Sequence, residues 1–471
     1  MSAPTRIFTI ADQRWFAGAS GDVNPLHLDP VWAAAVFPGE VVVHGLHVLL
    51  WGLGHHLAAH HGLPLHSVRA IFLKPVLLGD EVRVESAPDG ASFKCLVGSE
   101  PMVVVQLHGN TCAVPLLSHS ARTHNPATIP RDWTPEQLAA VVGDVVMPET
   151  AGDLSRTFPV VAAAVGERAL RGLAALSTLV GMQCPGLRGM LSEFSVSLAG
   201  TDTTDRLQFR VKRYDAPFSR VEMDVAGLGL AGTVSAFAAR IAPPPPSDDE
   251  IRSLIGAKEF FGQHPLIVGA SSGLGEITAR LLAAGGAEPT LTWHQSRDAA
   301  EQVAAAVSAL NGRCNLVQLD AAAPVAGIAA LATAGWNGEQ LYYFSTPRIF
   351  RRRLEVYQRN DLRNFLAVYV DGFYEIVRAL MVLPRTAPLA VFYPSSIAVD
   401  EQAADLLEYR IAKLAGEHLC VQLQRKYKYL SITIAHLPRI ATRQTQTLVK
   451  VKAESPQLAM LPYIRKVQGK T

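Results

Sequence analysis

Asp22 and His27 stand five residues apart within FAGASGDVNPLHLDP at 16–30, and VVVHG follows at 41–45. An aspartate can hold and polarise a water, and a histidine exchanges protons near neutral pH. Together they suit adding water to an activated double bond, or removing it. Gly45 can bring its backbone N–H close to a thioester oxygen, whose charge grows as the α-carbon is deprotonated. Pro25 disfavours helix at Asn24, so 22–27 is expected to be a shaped loop rather than a helix. On spacing alone a plain turn is the competing reading, because SGD and NP are ordinary turn sequences and Asp22 can simply cap a helix.

A second set lies near the C-terminus. HPLIVGASSGLGE at 264–276 places Gly269, Gly273 and Gly275 between a short apolar run and a helical pattern. Such glycines allow a tight turn and the close approach of a pyrophosphate, which a helix N-terminus stabilises. FYPSSIAVDEQAADLLEYRIAKLAGEH at 392–418 then offers Ser396, Tyr409 and Lys413. Tyr409 and Lys413 are four apart and share a helix face. An ammonium beside a phenol stabilises phenolate, which is expected to lower the Tyr409 pKa and suit it to protonate a forming alkoxide. Ser396, at a strand end, can donate to the same oxygen. The plain alternatives are a surface i, i+4 pair and a strand-end turn.

These groups need elements to hold them. APPPPSDDE at 242–250 reads as a polyproline spacer with a solvated acidic end, and HNPATIPRDWT at 124–134 as a weaker break. The expected domains are therefore 1–124, 125–242 and 256–471, with a proline-rich linker over 243–255. In the last, strand-like runs at 266–268, 290–293, 315–319, 341–344, 389–393 and 429–435 alternate with helical patterns, notably 365–382 and 404–426. That alternation predicts a parallel sheet covered on both faces. The first two segments each carry an apolar helical stretch (46–60, 168–180) followed by strand-like runs (67–72 and 81–85; 190–198 and 207–211). This pattern reads as a diverged internal repeat.

Taken whole, SGDVNPLHLDP, VHG and FLKPVLLGDEV at 72–82 resemble the MaoC-like (R)-specific enoyl-CoA hydratases, over residues 8–120. The resemblance implies a hotdog fold and reversible hydration of trans-2-enoyl thioesters to (R)-3-hydroxyacyl thioesters. Asp22 and His27 match the catalytic pair, and Asn24 and Gly45 match active-site positions. The second segment lacks this pair and reads as a degenerate second hotdog, giving an α+β double hotdog. Its Cys184 has no nearby histidine in sequence and reads as a buried small residue rather than a nucleophile.

The glycine turn with Ser396, Tyr409 and Lys413 resembles the short-chain dehydrogenase/reductases over 264–445. This implies an α/β Rossmann-type doubly wound parallel sheet and a nicotinamide cofactor. Gly269, Ser271, Gly273, Gly275, Ser296, Arg297, Asp320 and Thr442 are the implied cofactor residues. NADP(H) is favoured over NAD(H): no acid follows Trp293 to bind a ribose hydroxyl, while Ser296 and Arg297 can meet a 2′-phosphate. The sequence departs from the family pattern in three places. FSTP at 344–347 replaces an asparagine-rich loop, Tyr369 stands where a catalytic asparagine is usual, and the chain ends soon after Pro438, where a further helix and a seventh strand are usual.

A hydratase and a ketoreductase meet at one intermediate, the (R)-3-hydroxyacyl thioester. The sequence thus reads as a bifunctional enzyme of acyl-thioester metabolism, on coenzyme A or a carrier protein. The alternatives are a single live hydratase, with a reductase half acting on another carbonyl, and a non-catalytic thioester-binding scaffold. The formal net charge of +2 over 471 residues argues against a nucleic-acid partner. The basic cluster Arg348 and Arg351, Arg352 and Arg353 can meet substrate phosphates, though a solvated helix face is the plainer reading. Five scattered cysteines without a C-x-x-C argue against disulfides and a zinc site. No signal layout or membrane-length apolar run is present, so a cytoplasmic protein, with homo-oligomerisation left open, is expected.

Overall fold

The computed structural model describes residues 3–36, 39–60, 62, 65–108, 128–198, 204–239, 244–349, 356–383, 387–401, 406–440 and 454–469. It divides into two compact units at Ile241/Ala242.

The first unit is built on one antiparallel sheet. Its strands are β1 (Thr5–Ile7), β2 (Ser67–Phe72), β3 (Glu81–Ser86), β4 (Ser92–Val97), β5 (Glu100–His108), β6 (Val142–Val146), β7 (Gly189–Leu198), β8 (Arg206–Asp215), β9 (Arg220–Gly227) and β10 (Leu230–Ala238). Their order is β1-β3-β4-β5-β2-β7-β10-β9-β8-β6. Read outward from the central β2–β7 pair, the two halves have the same order. In each, one long helix lies between the first and second strands: Gly45–Ala59 in one half and Glu167–Thr178 in the other. The strand-like and helical stretches expected of an internal repeat thus fall on equivalent elements.

The Gly45–Ala59 helix is mostly apolar, with Leu46, Val48, Leu49, Leu50 and Leu53 all buried. A helix this apolar belongs inside. The halves join where β2 pairs with β7, from Ser67 opposite Ser197 to Ile71 opposite Glu193.

The second unit holds a six-stranded parallel sheet: β11 (Leu266–Val268), β12 (Thr290–Trp293), β13 (Asn315–Gln318), β14 (Gln340–Tyr343), β15 (Leu389–Ser396) and β16 (Leu430–Leu437). The order β13-β12-β11-β14-β15-β16 is the doubly wound order 3-2-1-4-5-6. Its switch point lies between β11 and β14, where ligands of such sheets bind. Two apolar clusters cover its faces, one around Tyr343, Phe373 and Tyr393, the other around Phe260, Leu282 and Ile464.

Three expectations change here. Residues 22–27 are not all loop: Pro25 opens a one-turn helix, Pro25–Leu28, with Asn24 as its cap. Proline bars helix at the residue before it but suits the first helical position itself. The expected linker 243–255 is only partly a spacer. Ser247 and Glu250 form a capping box for the helix Asp248–Leu254, Ile251 is buried, and Asp248 pairs with Arg280 at 2.7 Å. S-x-x-E ahead of an apolar residue was the overlooked signal. Finally, a helix does follow Pro438: Pro456–Val467 buries Met460 and Ile464 against the sheet. No seventh parallel strand occurs among the described residues.

Candidate functional site

In the first unit, the helix Ile10–Ser20 ends on Gly21, whose φ of +88° is the left-handed conformation that suits glycine. The chain then turns Asp22 inward, leaving it 1% exposed. Asp22 Oδ1 accepts the Asn24 backbone N–H at 3.2 Å. Asp22 Oδ2 accepts the Ser177 hydroxyl at 2.6 Å, from the long helix of the second half. His27 Nε2 lies 3.9 Å from Asp22 Oδ2. His27 Nδ1 donates to the Val42 carbonyl at 2.7 Å, which turns Nε2 toward the carboxyl group. A gap of 3.9 Å lets one water sit about 2.8 Å from both atoms.

Burial raises the Asp22 pKa; His27, Ser177 and the Asn24 N–H act against that rise. His44 stacks on His27 at 3.9 Å, and its Nε2 also lies 3.9 Å from Asp22 Oδ2. Burial holds His44 well below the usual imidazole range. Its Nδ1 lies 2.8 Å from Gln13 Oε1 and its Nε2 3.0 Å from the Asp22 carbonyl; both are acceptors, so the neutral ring donates to one of them at a time. Ligand atoms of Asp22, His27 and His44 converge within 4.8 Å, close enough to hold a metal ion, although both His44 nitrogens already have protein partners.

Asn24 reaches across to the second half. Its amide donates to the Gly181 carbonyl at 2.7 Å and to those of Gly186 and Leu187 at 3.3 Å. Gly181 is needed there, since a Cβ would come within 2.3 Å of Asp22 Oδ1. Gly45 opens its helix next to the site, and a Cβ on it would strike the Phe72 ring at 2.8 Å. The first N–H groups of a helix have no partner within it, so they point outward as donors. Cys184 is buried and its thiol is pushed up to about 12 by burial, which suits packing rather than attack.

Sequence reading missed Gln13, His44 and Ser177. His44 adjoins Gly45 and was within reach of the motif. Ser177 lies 155 residues from Asp22, and only the pairing of the two halves brings it there.

In the second unit, Gly269 (φ +81°) and Gly273 (φ +62°) turn the chain from β11 into the helix Gly273–Ala284. A Cβ on Gly269 would lie 2.6 Å from the Ser345 nitrogen, and one on Gly275 would lie 2.2 Å from the Gly269 carbonyl. Ser272 leaves the first-turn N–H groups without a side-chain cap. The turn carrying Ser271 thus has the open donors and close backbone approach that a pyrophosphate needs. Ser296 caps its own helix through Ala299 N–H, Arg297 pairs with Glu301 at 2.7 Å, and Asp320 faces His294 at 3.5 Å. Thr442 and Arg351, Arg352 and Arg353 lie outside the described residues.

The structure brings Ser396, Tyr409 and Lys413 into one neighbourhood, but not with the expected electrostatics. Burial pushes Tyr409 up to about 12, opposed by a hydrogen bond with the Ser396 side chain. Burial also depresses Lys413 to about 7. The ammonium donates to the Pro394 carbonyl at 2.6 Å and lies over the Tyr369 ring, 3.8 Å from its centroid. Burial outweighs the groups that would lower the Tyr409 pKa, because dry surroundings penalise both charged forms. Tyr369, at the expected asparagine position, is buried with its hydroxyl bonded to Thr346 and meets Tyr409 edge-on at 5.9 Å.

Residues 2–97 match the family model described as the MaoC like domain. No curated protein matches the chain. Among solved structures, the chain is similar to a Burkholderia cenocepacia short chain dehydrogenase in complex with NADP, at 20% identity over 45% of this chain and 94% of that one, with a TM-score of 0.41. It is also similar to a 3-oxoacyl (acyl-carrier-protein) reductase of Agrobacterium tumefaciens with NADP bound (17%, 44% and 87%, 0.38). A third is L-sorbose reductase of Gluconobacter frateurii with NADPH and L-sorbose (16%, 39% and 72%, 0.35).

Proposed function

We propose that the chain is a bifunctional enzyme: an (R)-3-hydroxyacyl-thioester dehydratase/enoyl hydratase joined to an NADP-dependent 3-oxoacyl-thioester reductase. One observation carries the first half of this reading. His27 Nε2 and the buried Asp22 carboxyl face each other 3.9 Å apart, inside a domain that matches the MaoC-like model. In the hydration direction, His27 Nε2 takes a proton as the water oxygen bonds to C3. Asp22, which burial inclines to keep its proton, delivers that proton to C2. His27 then returns its proton to Asp22, so one water is consumed and both groups are restored. The Gly45 N–H meets the charge that grows on the thioester oxygen. We read the first unit as a double hotdog, 1–124 and 125–242, whose second copy supplies Ser177 and the Gly181 carbonyl instead of a second dyad.

The reductase reading rests on the doubly wound strand order together with the glycine turn and the Ser396, Tyr409 and Lys413 cluster. Gly269, Ser271, Gly273 and Gly275 would hold the cofactor pyrophosphate, with Asp320 and Thr442 at its adenine and nicotinamide ends. Ser296 and Arg297 would meet a 2′-phosphate, Arg297 leaving Glu301 to do so. When bound, the cofactor supplies a hydride. Tyr409 then gives its proton to the substrate oxygen while Ser396 orients that oxygen.

The Lys413 bond to the Pro394 carbonyl favours a second reading, in which only the hydratase turns over. Assays of the purified chain with crotonyl-CoA, and with acetoacetyl-CoA and NADPH, distinguish the two. The first reading requires both reactions, and the second only hydration. No helix among the described residues is long and apolar enough to cross a membrane, and we place the enzyme in the cytoplasm.

A further inference from the structure

Each carbonyl reduction consumes one proton along with one hydride, so under the reductase reading Tyr409 must be reprotonated from solvent. On one side of it Tyr369 fills the space, with its hydroxyl committed to Thr346 and its ring beneath the Lys413 ammonium. A chain of polar groups begins one helical turn from Lys413, without a direct ion pair to it. Glu417 is one turn further along the helix Leu407–Lys426, on the same face, and its charge acts on the ammonium. Ser395, next to the Pro394 whose carbonyl holds Lys413, donates to Glu417 Oε1. Glu417 Oε1 lies 3.0 Å from His436 Nε2, and His436 Nδ1 lies 2.7 Å from Asp400 Oδ2. Ser395 and His436 are register partners on β15 and β16, so their side chains share a sheet face. Exposure rises along the chain: the Glu417 side chain is 19% exposed, His436 36% and Asp400 64%, while Lys413 is buried. The sequence of groups runs from dry interior to water.

We propose that Glu417 and His436 are relay residues through which Lys413 and Tyr409 exchange protons with solvent. This rests on the reductase reading. In each turnover the Tyr409 O–H bond breaks as the substrate oxygen takes the proton. The Lys413 ammonium reprotonates the phenolate, His436 by way of Glu417 and an intervening water returns a proton to the lysine amine, and His436 takes one from hydronium or buffer. One solvent proton thus accompanies each hydride from the reduced nicotinamide. The titratable and charged groups around the route are Asp400 from the short helix after β15, Glu417, Lys413 and Cys420 from the long helix, and Tyr369, Tyr393 and Tyr409 around the ammonium. Asp400 chiefly, with Glu417, raises the His436 pKa.

The first test needs no turnover. The full chain, labelled with 15N-histidine, is titrated by NMR as wild type, Lys413→Met, Glu417→Gln and the double variant. Lys413→Met is expected to move the His436 midpoint to higher pH, and Glu417→Gln to lower pH. In the Glu417→Gln background, Lys413→Met is expected to have no further effect. Lys413→Met removes the donor to the Pro394 carbonyl, and Lys413→Gln serves if the Met variant does not fold. The second test is NADPH oxidation by His436→Ala, where kcat should fall with the ketone KM unchanged and recover when imidazole is added to the buffer. Imidazole would not repair a merely structural defect. A His436 midpoint indifferent to Lys413 overturns the relay, whether or not ketones are reduced. An active enzyme whose kcat ignores His436→Ala also overturns it. A coupled His436 in a protein that reduces no ketone upholds the route and refutes the reductase reading instead.

Discussion

A carboxyl group as dry as that of Asp22 keeps its proton more readily than one in water, and this preference links activity to stability. Its folded-state pKa is raised above the unfolded value, mainly by burial. The resulting stabilisation is complete below the unfolded pKa and is lost as pH rises through the folded one. At pH 7 an ionised Asp22 is therefore a cost to the fold. Asp22→Asn is expected to slow crotonyl-CoA hydration by roughly 10²–10⁴-fold. Calorimetric melting at pH 7 should nevertheless find the variant at least as stable as wild type, with the difference narrowing toward pH 4. Ser177→Ala should keep the fold but remove a hydrogen bond to the Asp22 carboxyl worth about 0.5–1.5 kcal/mol. Steady-state kinetics should register that as a roughly two- to tenfold loss of hydratase kcat/KM, with NADPH binding unchanged. Asp22 and His27 were legible as a facing pair because they lie five residues apart on one short stretch. Ser177 and Gln13 were not, because they reach the site only through packing. The Tyr409 and Lys413 spacing was legible too, but their pKa values depend on burial, which spacing does not report.

At the scale of elements, local rules read well where a pattern repeats and poorly where one residue has two uses. The six parallel strands fell close to their expected runs because each is a short apolar stretch bounded by turn residues. Pro25 was read as a breaker when it is also a starter, and the acidic run after the prolines, largely exposed as expected, also opens a helix. The glycine turn is where an element meets a ligand. Gly269→Ala must place a Cβ 2.6 Å from the Ser345 nitrogen at a φ of +81°. Strain of about 1–3 kcal/mol should lower the melting temperature and weaken NADPH binding by fluorescence titration, while hydration in the first unit stays intact. Arg297 starts the helix after β12 and is the one arginine in the 2′-phosphate argument. NADPH should bind more tightly than NADH, and Arg297→Ala should narrow the gap. Equal affinities in the wild type would remove the argument for NADP.

At the scale of the whole molecule, two compact units carry two separate sets of polar groups, one on an antiparallel sheet and one on a parallel sheet. The repeat in the first unit was visible in sequence as two helix-then-strand patterns. What it accomplishes was not visible: the half without a dyad contributes a hydroxyl and three backbone carbonyls to the half that has one. The central claim is that one chain performs both reactions at Asp22/His27 and at Tyr409. The most direct test gives the full chain acetoacetyl-CoA and NADPH and follows the thioesters formed by mass spectrometry. Wild type should yield 3-hydroxybutyryl-CoA and then crotonyl-CoA. Asp22→Asn should stop at the hydroxy thioester, and Tyr409→Phe should leave both NADPH and acetoacetyl-CoA unconsumed. Crotonyl-CoA formed at the wild-type rate by Asp22→Asn, or NADPH oxidised at the wild-type rate by Tyr409→Phe, would contradict the account.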